Sequence, residues 1–156
     1  MHRTFQEVSR EIRDAFAGVK LGNGIGLYEG RALDDYEDDT VRLAARFKDE
    51  RNNWNAIPRQ RLESYNDALS FLDPEGMRFH LPAFMIAELE GVPVSCIFHL
   101  MHLSDFGKSQ LALLSQRQRQ VIREVLLLVV DEEDYGSHRC SEIRKALGEY
   151  WRDDES

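Results

Sequence analysis

Apolar positions along the chain recur mostly at steps of three and four, the period of a helix that buries one face. Phe5, Val8, Ile12, Phe16 and Val19 form one such stripe. They predict an opening helix that stops at Gly22-Asn23-Gly24, where glycine and asparagine accept the left-handed backbone of a helix end. A short helix is expected over Leu27 to Asp35, and a third from about Asp39, with Val41, Ala44 and Phe47 turned inward. Trp54, Ile57, Leu62, Tyr65, Leu69 and Leu72 predict a fourth, in which Pro58 is tolerated because it falls in the first turn.

Asp73-Pro74-Glu75-Gly76 reads as a turn, Met77 to Leu81 as extended or irregular, and Pro82 as the opening of a helix that reaches Glu90 and closes on Gly91. Ser95 is expected to cap a short apolar helix through Leu103. The clearest boundary is Ser115-Gln116-Arg117-Gln118, a capping box in which the serine hydroxyl and the glutamine side chain satisfy each other's backbone N–H groups. Val121, Ile122, Val125, Leu126 and Val129 follow at helical spacing. A loop over Asp131-Glu132-Glu133-Asp134 and Gly136 leads to a last helix carrying Cys140, Ile143, Leu147, Tyr150 and Trp151. No stretch alternates with period two, and no internal repeat occurs. The pattern predicts an all-α protein, a single compact helical domain over residues 1–156 with at most one short extended segment.

Composition sharpens this picture. A chain of 156 residues, 42% apolar and 31% charged, is long enough to build a core without disulfides or a structural metal. The longest apolar run, Val125 to Val130, is far short of the roughly 20 residues of a membrane span. The N-terminal residues pass directly into a charged helical pattern without a signal core. These features predict a cytoplasmic protein that does not enter a membrane. Cys96 and Cys140 lack CxxC spacing and read as reduced core residues. A net charge of −8 disfavours nucleic acid, despite Arg117, Arg119 and Arg123 on one helix, and favours a basic partner.

The stretch Leu69-Ser70-Phe71-Leu72-Asp73-Pro74-Glu75-Gly76-Met77-Arg78-Phe79-His80-Leu81-Pro82-Ala83-Phe84-Met85 is distinctive, as are Leu114-Ser115-Gln116 and the closing Ala146-Leu147-Gly148-Glu149-Tyr150-Trp151. Together they resemble a bacterial family of small proteins known as a domain of unknown function. Leu27-Tyr28-Glu29, Leu33-Asp34-Asp35-Tyr36 and Trp54-Asn55-Ala56-Ile57-Pro58 extend the resemblance over most of the chain. Two positions depart from it: Glu37 stands where the family has a glycine after the aspartate-tyrosine pair, and His80 where a tyrosine is common. The resemblance implies one domain and carries no activity.

Candidate chemistry is sparse. Glu29, Asp34, Asp35, Glu37, Asp38 and Asp39 form the densest acidic cluster, able to serve as a solvated, helix-capping face or as a binding surface, but without the ligand spacing of an EF-hand. Arg78, between two predicted turns, could fork onto a partner's carboxylate or pair internally with the Asp34-Asp35 region. His99 and His102, followed by Asp105, have a spacing that can aim two imidazoles and a carboxylate at one cation, yet no third strong ligand is marked. Gly22, Gly24, Gly26 and Gly30 lack the preceding strand and the Gly-Lys-Ser/Thr ending of a phosphate loop and read as a flexible connection. Trp54 and Trp151 read as core anchors. With no GxSxG, HExxH or Cys-His signature present, the expectation is a non-enzymatic, cofactor-free acidic protein that binds a basic protein partner, of the immunity or inhibitor type. The alternative is a metal-dependent hydrolase built on His99, His102 and nearby carboxylates.

Overall fold

The computed structural model describes residues 3–132 and 137–152. Among them are nine α-helices, two short 3-10 segments and no strand: α1 (Phe5–Ala15), α2 (Leu27–Asp34), α3 (Asp39–Lys48), α4 (Arg59–Ser64), α5 (Pro74–Leu89), α6 (Cys96–Met101), α7 (Asp105–Gln110), α8 (Gln116–Glu132) and α9 (His138–Glu149). The all-α expectation is therefore met. Glu133, Asp134 and Gly136 of the expected loop lie outside the described residues, whereas Asp131 and Glu132 extend α8.

Helix α5 is the centre of the fold. Asp73 caps it, its carboxylate accepting from the Gly76 N–H at 2.8 Å, and Pro74 sits in the first turn, where a missing N–H is harmless. The expected break at Pro82 does not occur. Pro82 lies inside the helix, and Met77 to Leu81, expected to be extended, is helical. Eleven of the sixteen residues are buried, so packing on every side outweighs the single backbone hydrogen bond that proline removes. Around α5 pack α1, α4, α6, α7 and a 3-10 turn at Trp54–Ala56, while α8 pairs with α1 and α9.

The expected fourth helix is broken into three pieces: the turn at Trp54–Ala56, α4, and a second 3-10 segment, Asn66–Phe71. Gln110 of α7 is buried and closes this segment, its Nε2 donating to the carbonyls of Leu69 and Leu72 at 2.9 and 2.8 Å. The Ser115–Gln118 capping box forms as expected, and Gln118 Nε2 also reaches the Ala15 carbonyl, tying α8 to the end of α1. Ser95 does not cap α6. It adopts a left-handed backbone, φ 55°, and Glu88 of α5 accepts from the Ile97 N–H instead.

Both tryptophans anchor the core with satisfied indoles. Trp54 Nε1 donates to the Phe16 carbonyl at 3.0 Å, and Trp151 Nε1 to the Leu100 carbonyl at 2.8 Å. Cys96 and Cys140 are buried and free, and burial pushes the Cys96 thiol well up. Among the described residues no helix is long and apolar enough to cross a membrane.

Candidate interaction surface

The acidic run connects α2 to α3. Helix α2 ends in a Schellman turn: the Tyr36 N–H bonds the Leu33 carbonyl and the Glu37 N–H bonds the Ala32 carbonyl. That turn needs a left-handed residue where glycine is usual, and here Tyr36 takes it with φ 56° and 95% of its surface exposed. Asp38 then caps α3, accepting from the Val41 N–H at 2.9 Å. Asp35, Glu37, Asp38 and Asp39 are exposed and Asp34 is half-buried. Within the run the one ion pair among the described residues joins Asp39 to Arg42 at 3.3 Å.

Glu29 does not belong to this surface. It is buried, and its carboxylate pairs with Arg46 Nη1 at 2.7 Å. Arg46 also donates to the carbonyls of Gly24 and Asn23, which fixes α3 to the body of the molecule through its polar side. The expected inward face of α3 is thereby overturned. No residue of α3 is buried; Arg42, Ala45 and Arg46 face the body, and Thr40, Leu43, Ala44 and Phe47 face solvent. Phe47 is 90% exposed, Leu43 52% and Val41, on the flank, 43%. A helix with normal amphipathic spacing is docked by its charged face.

Behind this corner lies a polar knot that sequence spacing gave no sign of. The Asp49 carboxylate, at the end of α3, accepts from the N–H groups of Tyr28 and Glu29, and so caps α2 from a distance. Gly26 permits this approach, because a Cβ there would stand 2.2 Å from the Asp49 carboxyl carbon. Burial pushes the Asp49 carboxyl up, with the two N–H donors and Arg51 pulling the other way. Asp73 caps α5 and also binds the Ile25 N–H. Arg51 holds the carbonyls of Gly22 and Gly24. The glycine segment is thus a pinned connector, not the flexible one expected.

His80 sits beside the knot, fully buried, with Nδ1 2.7 Å from the Gly76 carbonyl. Burial lowers its pKa to about 4, so the ring is neutral and Nδ1–H donates. The gap between His80, Asp49, Tyr28 and Arg61 is about 10 Å³, room for a single water and no substrate.

Residues 4–155 match a family of unknown function, DUF6714. The chain belongs to this family. No curated protein and no solved structure matches it. Within this DUF6714 chain, the resembling stretch from Leu69 to Met85 covers the end of the second 3-10 segment, the Asp73 cap and most of α5, and most of it is core architecture.

The other candidate residues lie apart from the acidic corner. His99, on α6, is half-buried, and burial lowers its pKa. His102 follows α6, 3.9 Å from Glu142, while Asp105 opens α7 behind its Ser104 cap. No three His, Cys, Asp or Glu side chains among the described residues come together as a metal site. Arg78 is half-buried on α5, its Nε buried without a hydrogen-bond partner, and it forms no ion pair with Asp34 or Asp35 among the described residues. A basic concavity of about 270 Å³ at the start of α8 is lined by Arg119, Arg152, Tyr150 and Trp151, with the Arg119 guanidinium stacked 4.6 Å from the Tyr150 ring.

Proposed function

We propose that this DUF6714 protein is a non-enzymatic interaction protein whose α2–α3 corner docks on a basic protein partner, as an immunity or inhibitor protein would. The observation that carries the reading is the corner itself, where Asp35, Glu37, Asp38 and Asp39 stand exposed beside a helix that turns its apolar side outward. Asp38 and Asp39 have a local role at the N-terminus of α3 and Asp35 stands near Arg31, whereas the Glu37 side chain has no hydrogen bond or ion pair among the described residues. Crowded carboxylates repel one another, and a cationic partner turns that repulsion into attraction that speeds encounter. The weaker reading, a metal-dependent hydrolase at His99 and His102, lacks a third ligand among the described residues.

The test replaces Asp34, Asp35, Asp38 and Asp39 with asparagine and follows association by stopped flow with the partner recovered by pull-down from the native host. The variant should associate at least tenfold more slowly at low salt, with the gap closing as salt rises. An unchanged rate and an unchanged salt dependence would reduce the run to a solvated face.

A further inference from the structure

Helix α3 poses a physical problem that its neighbours in the fold do not solve. Thr40, Leu43, Ala44 and Phe47 occupy positions i, i+3, i+4 and i+7, the spacing by which one helix lies against another, and all four face solvent. The helix cannot roll to bury them, because Arg46 is fixed on the opposite side to the buried Glu29 and to the carbonyls of Asn23 and Gly24. Tyr36, just before the helix, adds an aromatic ring held outward by a left-handed backbone that a tyrosine adopts only at a cost. Two features that each raise the free energy of the isolated chain thus present apolar surface at one place.

We infer that this outward face of α3, with Tyr36 at its N-terminal side, seats a single amphipathic helix of the partner whose apolar stripe is flanked by lysine or arginine. The inference rests on the docking reading above and specifies the partner's form. The stripe from Thr40 to Phe47 is about 10 Å long, matching two turns of a facing helix. Charge selects the occupant. Asp35, Glu37, Asp38 and Asp39 line the N-terminal end and exposed Lys48 the other, so the partner's cations fall beside the start of α3. A second copy packed antiparallel would set a single Lys48 against four carboxylates at each end, which leaves most of the acidic charge unpaired, and an anionic lipid surface would be repelled by the same carboxylates.

Two fluorescein-labelled 18-residue helical peptides test it, both with a Leu/Phe stripe, one flanked by lysine and one by glutamate. In fluorescence anisotropy the lysine peptide should bind, the glutamate peptide at least tenfold more weakly, and the double substitution Leu43→Ser, Phe47→Ser should weaken the lysine peptide at least tenfold with an unchanged thermal midpoint. Equal binding by that double variant overturns the inference, as does failure of both peptides to bind. So does a midpoint lowered by several degrees, which would mean the two side chains pack internally. A concentration-dependent dimer in sedimentation velocity that the double variant abolishes assigns the face to a second copy, and binding to zwitterionic vesicles lost in the same variant assigns it to lipid; either overturns the cationic helix. The docking reading fails separately: it survives if the four Asp→Asn substitutions slow the native partner while the Leu43, Phe47 pair has no effect, and it falls if they do not.

Discussion

Helix α5 buries eleven of its sixteen residues, whereas α3 buries none of its ten. Both are capped by an aspartate that accepts an N–H three residues on, so local chemistry starts them in the same way. What separates them is how each is held. Dispersion and apolar burial hold α5 from all sides, and they override even an interior proline. A few directional hydrogen bonds from Arg46 hold α3, and they win over its apolar stripe because Glu29 is already buried and would be costly to leave unpaired. Periodicity therefore identifies a face that wants cover, but it does not say whether the same chain supplies the cover.

That contrast can be broken from the core side first. Trp151→Ala removes a fully buried ring and leaves the Leu100 carbonyl without its donor, so urea unfolding should show a loss of about 3 to 5 kcal/mol. A loss below about 1 kcal/mol would place the end of the chain outside the core.

His80 gives the core a pH dependence. Above about pH 6.5 the ring is neutral in both folded and unfolded chains, and no stability changes hands. Below that pH the unfolded chain binds a proton that the buried ring refuses until about pH 4. Stability should therefore fall by roughly 3 kcal/mol across that window, at about 1.4 kcal/mol per pH unit of displaced pKa. Comparing unfolding at pH 7 and pH 4.5 for the natural chain and for His80→Phe should show the variant losing distinctly less on acidification.

The α3 side should respond more mildly and locally. Arg46→Met strands the Glu29 carboxylate and two carbonyls, at a cost of about 2 kcal/mol, since Arg46 is itself partly exposed. Hydrogen exchange should show protection lost over α3 while α5 amides keep theirs. The smallest effect has the opposite sign. Tyr36→Gly relieves the left-handed strain and loses no buried surface, so it should stabilise the fold by about 1 kcal/mol, read as a raised unfolding midpoint, while weakening any partner that uses the ring.

Much of the fold was legible because it depends on neighbours in sequence. The stripe of α1, the Ser115–Gln118 box and the register of α8 follow from side chains three and four residues apart. The reading failed where a distant group decided the outcome. Pro82 looked like a start because nothing local shows that α5 will be enclosed. Ser95 looked like a cap because nothing local shows that Glu88 takes that N–H. Proximity along the chain places Glu29 with the acidic run, although its partner, Arg46, stands seventeen residues away.

The candidate surface divides along the same line. That residues 34–39 are acidic, that Asp38 would cap a helix and that Leu43 and Phe47 share one of its faces are consequences of residue order, since caps and helical faces are set within one or two turns. That the shared face points to solvent, that Glu29 leaves the acidic run for Arg46 and that Asp49 caps α2 are consequences of tertiary structure alone. Each depends on a contact whose partners the chain brings together only on folding, and the strength of a buried ion pair or cap is set by the surroundings that folding creates rather than by the residues that form it.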